Sequence, residues 1–313
     1  MDLLKSVDIV SNHLTWTPEG MDHPILKDIT LTLEPGHIYG IIGPNGAGKS
    51  SFLRHVLAFL KTESKESMKI GDVPADDYPR KKLARLLSFV PQKTDIETDF
   101  TAEEIVMTGR TPYQGRFEGT SIGDKEAVYR AFSLTKADKL KNKKFAILSG
   151  GEKQKIACAC VSMLEPPIFI LDEPTSNLDI GAIRELKKII RKWKDSGKTI
   201  LIAEHRLYWL KEICDRVIYL KEGRVLFDIS MEEFRAFPPE RFTPPGHDSR
   251  KEYNAMERYL KTFSNRTIRN IFWSANNYAL PKVPAECGTK ITYWYGDDEK
   301  KDRRGNIRFI KRY

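Results

Sequence analysis

Short runs of apolar residues alternate along this chain with longer segments in which apolar residues recur at helical spacing. The apolar runs predict buried strands at residues 37–42, 87–90, 168–171 and 199–203. Helical spacing predicts helices at 49–59, at 181–193, and through most of 93–164 apart from an irregular insert at 109–123. Such alternation is typical of a mostly parallel sheet covered by helices, so the predicted fold class is α/β.

Residues 216–246 carry signals for a hairpin, a last helix and a linker. Segments 216–220 and 224–227 flank a Lys-Glu-Gly turn and predict a β-hairpin. Ser230 and Glu233 have the spacing of a capping box, and proline pairs follow at 238–239 and 244–245. We therefore predict a domain at 1–236 with a helical subdomain at about 93–165, a linker at 237–266 and a C-terminal appendage at 267–313.

The net charge of +9 is unevenly distributed along the 313 residues. From residue 237 onward there are 16 Lys and Arg against 9 Asp and Glu, which leaves a net charge of only +2 on the first 236 residues. A nucleic-acid-binding body would carry its basic excess itself, so no nucleic-acid partner is predicted for the main domain.

The sequence contains no apolar run of the roughly 20 residues needed to span a bilayer. The first ten residues include Asp2, Lys5 and Asp8 and lack the apolar core of a secretion signal. The four cysteines form no CxxC pair, which favours free thiols in a reducing compartment. If this protein works at a membrane, we expect it to dock onto subunits that cross it.

A phosphate-loop pattern, GxxxxGK[ST], lies where the first predicted strand gives way to a helix. It reads Gly43, Pro44, Asn45, Gly46, Ala47, Gly48, Lys49 and Ser50. Glycines let backbone N–H groups converge on phosphates, the helix start adds its positive dipole end, the lysine neutralises charge and the serine hydroxyl ligates Mg²⁺. Ser51 is included among the expected ATP contacts. A glycine turn that merely joins strand to helix is the alternative, which this placement disfavours.

Two carboxylates follow the apolar run at 168–171. Asp172 is the predicted Mg²⁺ ligand, and Glu173 is the predicted base that polarises the attacking water. Many strands end in an acidic turn, so this string is weak evidence by itself.

Neighbouring motifs indicate which protein family these residues resemble. The sequence LSGGEKQ occupies 148–154, Asp179 ends an SNLD sequence, Gln92 follows the second predicted strand, and His205 follows the fourth. Phosphate loop, glutamine, LSGGEKQ, carboxylate pair, SNLD and histidine in this order resemble the ABC transporter ATP-binding family over about 230 residues. The resemblance implies a P-loop NTPase domain with a mixed central sheet and a helical subdomain, and it implies ATP and Mg²⁺ as cofactors.

The resemblance also implies residue roles. Two copies would face head to tail, with each ATP between one copy's phosphate loop and a signature in the other formed by Ser149, Gly150, Gly151 and Glu152. Gln92 would sense Mg²⁺ and water, Asp179 would communicate across the dimer, and His205 would hold γ-phosphate and water in line. A lone histidine is more often structural, but its place in the ordered set favours this role.

Trp16 is the available candidate for stacking on adenine. Thr17 and Pro18 stand where the family usually has a tyrosine, and a tryptophan packed in the core is the alternative.

Different segments of the chain resemble importers of different cargo. Residues 101–113 and 115–117 look like importers of iron-siderophores, haem and cobalamin, whereas 202–210 and 217–223 look more like energy-coupling-factor ATPases. We predict an ATPase subunit of a nutrient importer at the cytoplasmic face of the membrane, bound to permease subunits, a second ATPase subunit, and a substrate-binding protein or S-component. A soluble ABC ATPase and an exporter subunit are the alternatives.

The appendage at 267–313 is basic and rich in aromatic residues. A nucleic-acid patch has this composition, but strand-like spacing of aromatic residues is more often found in a core. Residues 271–277 and 290–298 loosely resemble late strands of α/β-hydrolases. No GxSxG sequence precedes them and no histidine follows Asp298, so a truncated fragment without hydrolase activity is predicted.

Overall fold

The computed structural model describes residues 7–92, 98–115, 119–176, 178–205 and 207–236, with the residue pairs 273–274, 277–278, 300–301 and 307–308. Contacts divide the chain into two compact units, one of Met1–Glu204 with Ile213–Asp228 and one of His205–Glu212 with Ile229–Tyr313. The predicted linker lies outside the described residues. The predicted appendage does so too, apart from the four pairs, which form two short antiparallel ladders.

The described strands between residues 7 and 236 are, in chain order, β1 (Ile9–Trp16), β2 (Leu26–Leu33), β3 (Ile38–Ile42), β4 (Met68–Ile70), β5 (Val73–Pro74), β6 (Leu87–Val90), β7 (Ile168–Asp172), β8 (Thr199–Ala203), β9 (Arg216–Lys221) and β10 (Arg224–Ser230). The helices in the same range are α1 (Lys49–Val56), α2 (Arg80–Leu86), α3 (Ala102–Thr108), α4 (Ile122–Thr135), α5 (Gly150–Ser162), α6 (Ile180–Asp195), α7 (Leu207–Leu210) and α8 (Met231–Ala236). Within the described segments, no helix is long and apolar enough to cross a membrane.

A six-stranded sheet forms the centre of the first unit, in the order β10-β9-β3-β8-β7-β6. The pairs β3–β8, β3–β9, β7–β8 and β6–β7 are parallel. All residues of β3, β7 and β8 are buried, which explains their continuous apolar sequences. The four predicted strands are confirmed, and their parallel pairing brings their carboxyl ends to one edge of the sheet.

The predicted hairpin and last helix are also confirmed. The two-residue turn between β9 and β10 has positive φ at Glu222 (50°) and Gly223 (80°), as a tight hairpin turn requires. At the start of α8, the Glu233 carboxylate accepts from the Ser230 N–H at 2.8 Å and the Glu233 N–H donates to the Ser230 hydroxyl at 3.0 Å.

A second, antiparallel sheet in the order β2-β1-β4-β5 was not predicted. Its longest pair, β1 with β2, shifts register between Ser11 and Leu14 and again before Trp16. The shifts interrupt the apolar alternation along β1, and His13 and Asp28 beside them have positive φ (49° and 58°). Because of this irregularity, the alternation of apolar and polar residues did not predict β1.

Helices α3, α4 and α5 enclose a small core of their own, with Phe132 and Phe145 among its fully buried members. The predicted helical stretch is confirmed in the described part, as three helices separated by turns. The first predicted helix ends earlier than expected, at Val56, because Ala58 adopts a left-handed conformation (φ 50°) that cannot continue a helix.

Candidate active site

The predicted phosphate loop connects β3 to α1, and two of its glycines combine positive φ with close neighbours. Gly43 has φ 150°, and a Cβ there would lie 2.0 Å from the Leu220 carbonyl oxygen. Gly48, which precedes α1, has φ 100°, and a Cβ would lie 2.7 Å from a Leu26 methyl carbon. A loop this closely packed can direct its backbone N–H groups at a phosphate, so it fits the predicted ligand.

Lys49 is buried at the start of α1, with 5% of its surface exposed. Its ammonium donates to the carbonyl oxygens of Gly43 (2.9 Å) and Pro44 (3.0 Å). Burial lowers its pKa, and the nearby charges of Glu173, Asp172 and Glu204 act in the opposite direction. The lysine is therefore tied to the loop that would surround the phosphates.

Asp172 ends β7 beside the hydroxyl of Ser50, which donates to its carboxylate at 3.0 Å. Burial raises the pKa of Asp172 above its usual value; the Ser50 hydrogen bond lowers it, and the charge of Glu173 raises it further. A hydroxyl and a carboxylate with poorly compensated charge are suitable oxygen ligands for Mg²⁺. The structure brings these two predicted ligands together.

Gln92 and Glu173 also meet, with the Gln92 amide donating to the Glu173 carboxylate at 2.6 Å. The Glu173 N–H donates to the carbonyl oxygen of Ala203, the last residue of β8, at 2.9 Å. Glu173 has φ 44°, a left-handed conformation that is strained for a residue with a side chain. The predicted water-activating carboxylate is thus held at the same sheet edge as Asp172.

The signature residues form the N-terminus of α5. Ser149 caps this helix: its hydroxyl accepts from the Glu152 N–H at 3.4 Å, and Glu152 accepts from the Ser149 N–H at 2.9 Å. Ser149 and Gly150 are exposed. A Cβ on Gly151 would lie 3.1 Å from the Cβ of Ala182 in α6.

Asp179 caps the neighbouring helix, α6, by accepting from the Ala182 N–H at 2.7 Å. Two helix N-termini, those of α5 and α6, therefore lie side by side, with exposed capping residues that a second molecule can reach.

Trp16 and His205 remain predicted site residues. Trp16 ends β1 half-buried and packs edge-on against the ring of His55, with centroids 5.2 Å apart. Its contact with α1 is compatible both with core packing and with a nucleotide beside the same helix. His205 lies two residues after the end of β8 and belongs to the second compact unit.

Sequence reasoning missed Glu204 and Thr175. Both side chains are fully buried, and the Thr175 hydroxyl donates to the Glu204 carboxylate at 2.5 Å. The available signal was a charged residue placed directly after the apolar run 200–203 of strand β8, where burial is expected.

Comparison with known proteins places these motifs in one family. A family model described as ABC transporter matches residues 26–176. The hemin import ATP-binding protein HmuV of Pseudomonas fluorescens is 34% identical over 206 residues, which cover 64% of this chain and 78% of HmuV. The cobalamin import ATP-binding protein BtuD of Halobacterium salinarum is 31% identical over 202 residues, which cover 64% of this chain and 50% of BtuD.

A solved structure agrees with this placement. CbiO1 of Clostridium perfringens, described as part of the ABC transporter complex CbiONQ, matches with a TM-score of 0.66 and 27% identity. The match covers 84% of this chain and 100% of CbiO1. The chain spans about half the length of several curated relatives, BtuD among them.

Proposed function

The chain belongs to the ABC transporter ATP-binding family, and from that premise we propose that it is the ATP-hydrolysing subunit of a nutrient importer. The observation that carries this proposal is a set of three hydrogen bonds at one edge of the sheet. Lys49 donates to the phosphate loop, Ser50 donates to Asp172, and Gln92 donates to Glu173. We also propose that residues 1–236 act as one nucleotide-binding domain.

Each residue of the set has a role in hydrolysis. Lys49 and the loop N–H groups bind the phosphates of ATP, aided by the N-terminal end of α1. Ser50, Gln92 and Asp172 would hold Mg²⁺, which offsets the charge of the phosphates when bound. Glu173 orients the attacking water and accepts its proton.

A second ATPase subunit, identical or related, completes the site in this proposal. Ser149 and Gly150 are exposed at the start of α5, and their N–H groups at a helix N-terminus suit the γ-phosphate of an ATP bound to the other subunit. Asp179 lies at the adjacent start of α6 and would face the same dimer interface, which we call the seam. His205 would hold the γ-phosphate, Glu152 would support Ser149, and Trp16 would stack on adenine.

Ser149→Asp tests the seam without removing the helix cap, because aspartate is as good an N-cap as serine. In a Glu173→Gln background, which slows turnover, we expect ATP to dimerise the protein. The added negative charge should weaken that dimer at least about tenfold by repelling the γ-phosphate. Sedimentation velocity measures the dimer, and monomer ATP affinity should stay unchanged.

Thr101→Asp is the matched control, because Thr101 caps α3 with the same capping box through Glu104. It should leave the ATP-dependent dimer intact. If Ser149→Asp dimerised as strongly as its parent, or if both variants lost the dimer equally, the result would contradict the proposed place of Ser149 in the dimer interface.

Import is proposed from the relatives, whose names specify hemin and cobalamin import. The cargo class is an iron chelate, haem, cobalamin or another vitamin or metal. The protein would sit at the cytoplasmic face of the membrane through permease subunits, with a substrate-binding protein or S-component delivering cargo.

Uptake measurements in a deletion strain test the direction of transport. We expect uptake of one of these nutrients to fall to background, to return with the wild-type gene, and to stay low with Glu173→Gln. Cargo accumulation inside the deletion strain would indicate an exporter, and unchanged transport of every class would favour a soluble ATPase.

A further inference from the structure

Glu204 is a fully buried carboxylate at the edge of the candidate active site. It directly follows β8, and its N–H donates to the Ile41 carbonyl oxygen of β3 at 3.0 Å, two residues before the phosphate loop begins. Burying a carboxylate is unfavourable unless hydrogen bonds compensate the loss of water. A residue of this kind therefore calls for an explanation, and none of the family motifs supplies one.

The described bond to Glu204 comes from Thr175, two residues after Glu173. The Thr175 hydroxyl is fully buried and donates to the Glu204 carboxylate at 2.5 Å. Thr175 belongs to the turn that leaves β7, in which the Ser176 N–H donates to the Glu173 carbonyl oxygen at 3.1 Å. Glu204 thus holds the turn immediately after the predicted catalytic carboxylate.

The turn needs such support because Glu173 has a left-handed backbone (φ 44°). This conformation costs about 1–2 kcal/mol for a residue with a Cβ and persists only where neighbouring contacts impose it. Two consecutive residues at the end of β8 supply these contacts. The Ala203 carbonyl oxygen accepts from the Glu173 N–H at 2.9 Å, and the Glu204 carboxylate holds Thr175.

We propose that Glu204 is a positioning residue for ATP hydrolysis, which fixes the orientation of Glu173 through the Thr175 hydroxyl. The inference rests on the proposed function, since it assigns Glu173 to water activation. Glu204 does not touch the reacting atoms in this scheme; it acts on the backbone that presents Glu173. A merely structural carboxylate would instead affect folding and nucleotide binding together.

Thr175→Val tests the contact with almost no change in side-chain shape. We expect kcat to fall at least about tenfold, because a small displacement of a catalytic group is costly. The affinity for MgATP should change less than about twofold, because Glu173 is not assigned to binding. Thr175→Ser and Glu204→Gln keep a donor and an acceptor, respectively, and should both stay within about threefold of the wild-type kcat.

Thr135→Val is the matched control, because Thr135 is a buried threonine whose hydroxyl donates to the Ala131 carbonyl oxygen within α4, at 3.1 Å. It should leave kcat unchanged. Thermal unfolding of all variants, in the full chain with any partner subunits that turnover requires, separates lost orientation from lost folding.

Repeating Thr175→Val in a Glu173→Gln background provides the decisive comparison. Without the carboxylate there is nothing left to orient, so the second substitution should have no further effect on single-turnover hydrolysis. An equal loss in both backgrounds, a Thr175→Ser variant as slow as Thr175→Val, or a rise in the MgATP dissociation constant at constant kcat would overturn the inference. A wild-type chain without ATPase activity would instead overturn the proposed function.

Discussion

Two buried aspartates lie beside cations in this protein, and their carboxyl groups behave in opposite ways. Asp124, in the helical subdomain, has its pKa lowered to about 2, chiefly by its hydrogen bond with Arg110. Asp172, in the candidate active site, has its pKa raised, chiefly by burial. The charged form of the same chemical group is therefore stabilised in one region and destabilised in the other.

The difference follows from what surrounds each carboxylate. The Arg110 guanidinium donates to Asp124 at 2.7 Å, and the N–H and hydroxyl of Ser121 donate to it at 3.0 and 2.8 Å. Arg110 itself lies over the ring of Tyr113, 4.2 Å from its centroid. Residues 101–113, which resemble part of an importer motif, therefore contribute Arg110 to a hydrogen-bonded structural pair with Asp124.

Around Asp172, burial and the charge of Glu173 raise the pKa of the carboxyl group, although the Ser50 hydrogen bond and the charges of Lys49 and Arg54 act in the opposite direction. Lys49 is acted on by the charges of Asp172, Glu173 and Glu204, yet its ammonium donates to two loop carbonyl oxygens. A buried carboxyl group whose pKa stays raised despite such neighbours is a candidate cation ligand, and this distinguishes it from the carboxylate of a structural ion pair. A one-to-one, fully bonded pair such as Arg110–Asp124 indicates structure.

Glu173→Gln gives the largest expected effect and the most direct way to break this comparison. Loss of the water-activating carboxylate should slow steady-state ATP hydrolysis by at least about 100-fold while ATP binding survives. Phosphate release and nucleotide titration measure the two quantities.

Asp124→Asn makes the same acid-to-amide change in the structural pair. Measured well below its unfolding temperature, this control should keep kcat within about threefold, because it touches no group of the site. Near wild-type turnover in Glu173→Gln, or an equal loss in Asp124→Asn, would remove the distinction between the clusters.

Stability should respond to the two aspartates with opposite sign. Asp124→Asn leaves Arg110 buried without its counter-charge and should lower the free energy of unfolding by about 3 kcal/mol. Asp172→Asn removes an unfavourable buried charge while keeping an acceptor for Ser50, and should raise the nucleotide-free value. Urea denaturation at neutral pH measures both; a loss of stability in both would contradict the assignment.

Acid titration sharpens the same measurement. The folded-state pKa of Asp124, about 2, lies below its unfolded value of 3.8. Its ion pair therefore contributes fully above about pH 4, and the contribution is lost as pH falls through about 2. The stability difference between wild type and Asp124→Asn should shrink over that interval, and a constant difference would contradict the ion pair.

The local parts of the site could be predicted because their chemistry requires fixed residues at short spacing. The phosphate loop needs Gly43 and Gly48 beside Lys49 and Ser50, and a carboxylate pair at a strand end needs only its strand. Continuous apolar runs identified β3, β7 and β8 because parallel strands covered on both faces contain little else. The hairpin turn at Glu222 and Gly223 could be predicted from the Lys-Glu-Gly sequence between two strand-like segments.

Other features depend on which strands become neighbours, and no local pattern encodes that. The antiparallel sheet escaped prediction because its register shifts break the alternation along β1. Thr175 and Glu204 are 29 residues apart, and Arg110 and Asp124 are 14 apart. Their contacts exist only because β7 pairs with β8 and because α4 packs beside the turn after α3.

By itself, then, the sequence determined which side chains are proposed to bind phosphate, ligate Mg²⁺ and activate water. Tertiary structure alone decided which buried carboxyl group has its pKa lowered by its partners and which has its pKa raised by burial, because burial and hydrogen-bond partners are properties of the packed chain. Residues of one type, such as Asp124 and Asp172, consequently acquire different roles from their surroundings rather than from their neighbours in sequence.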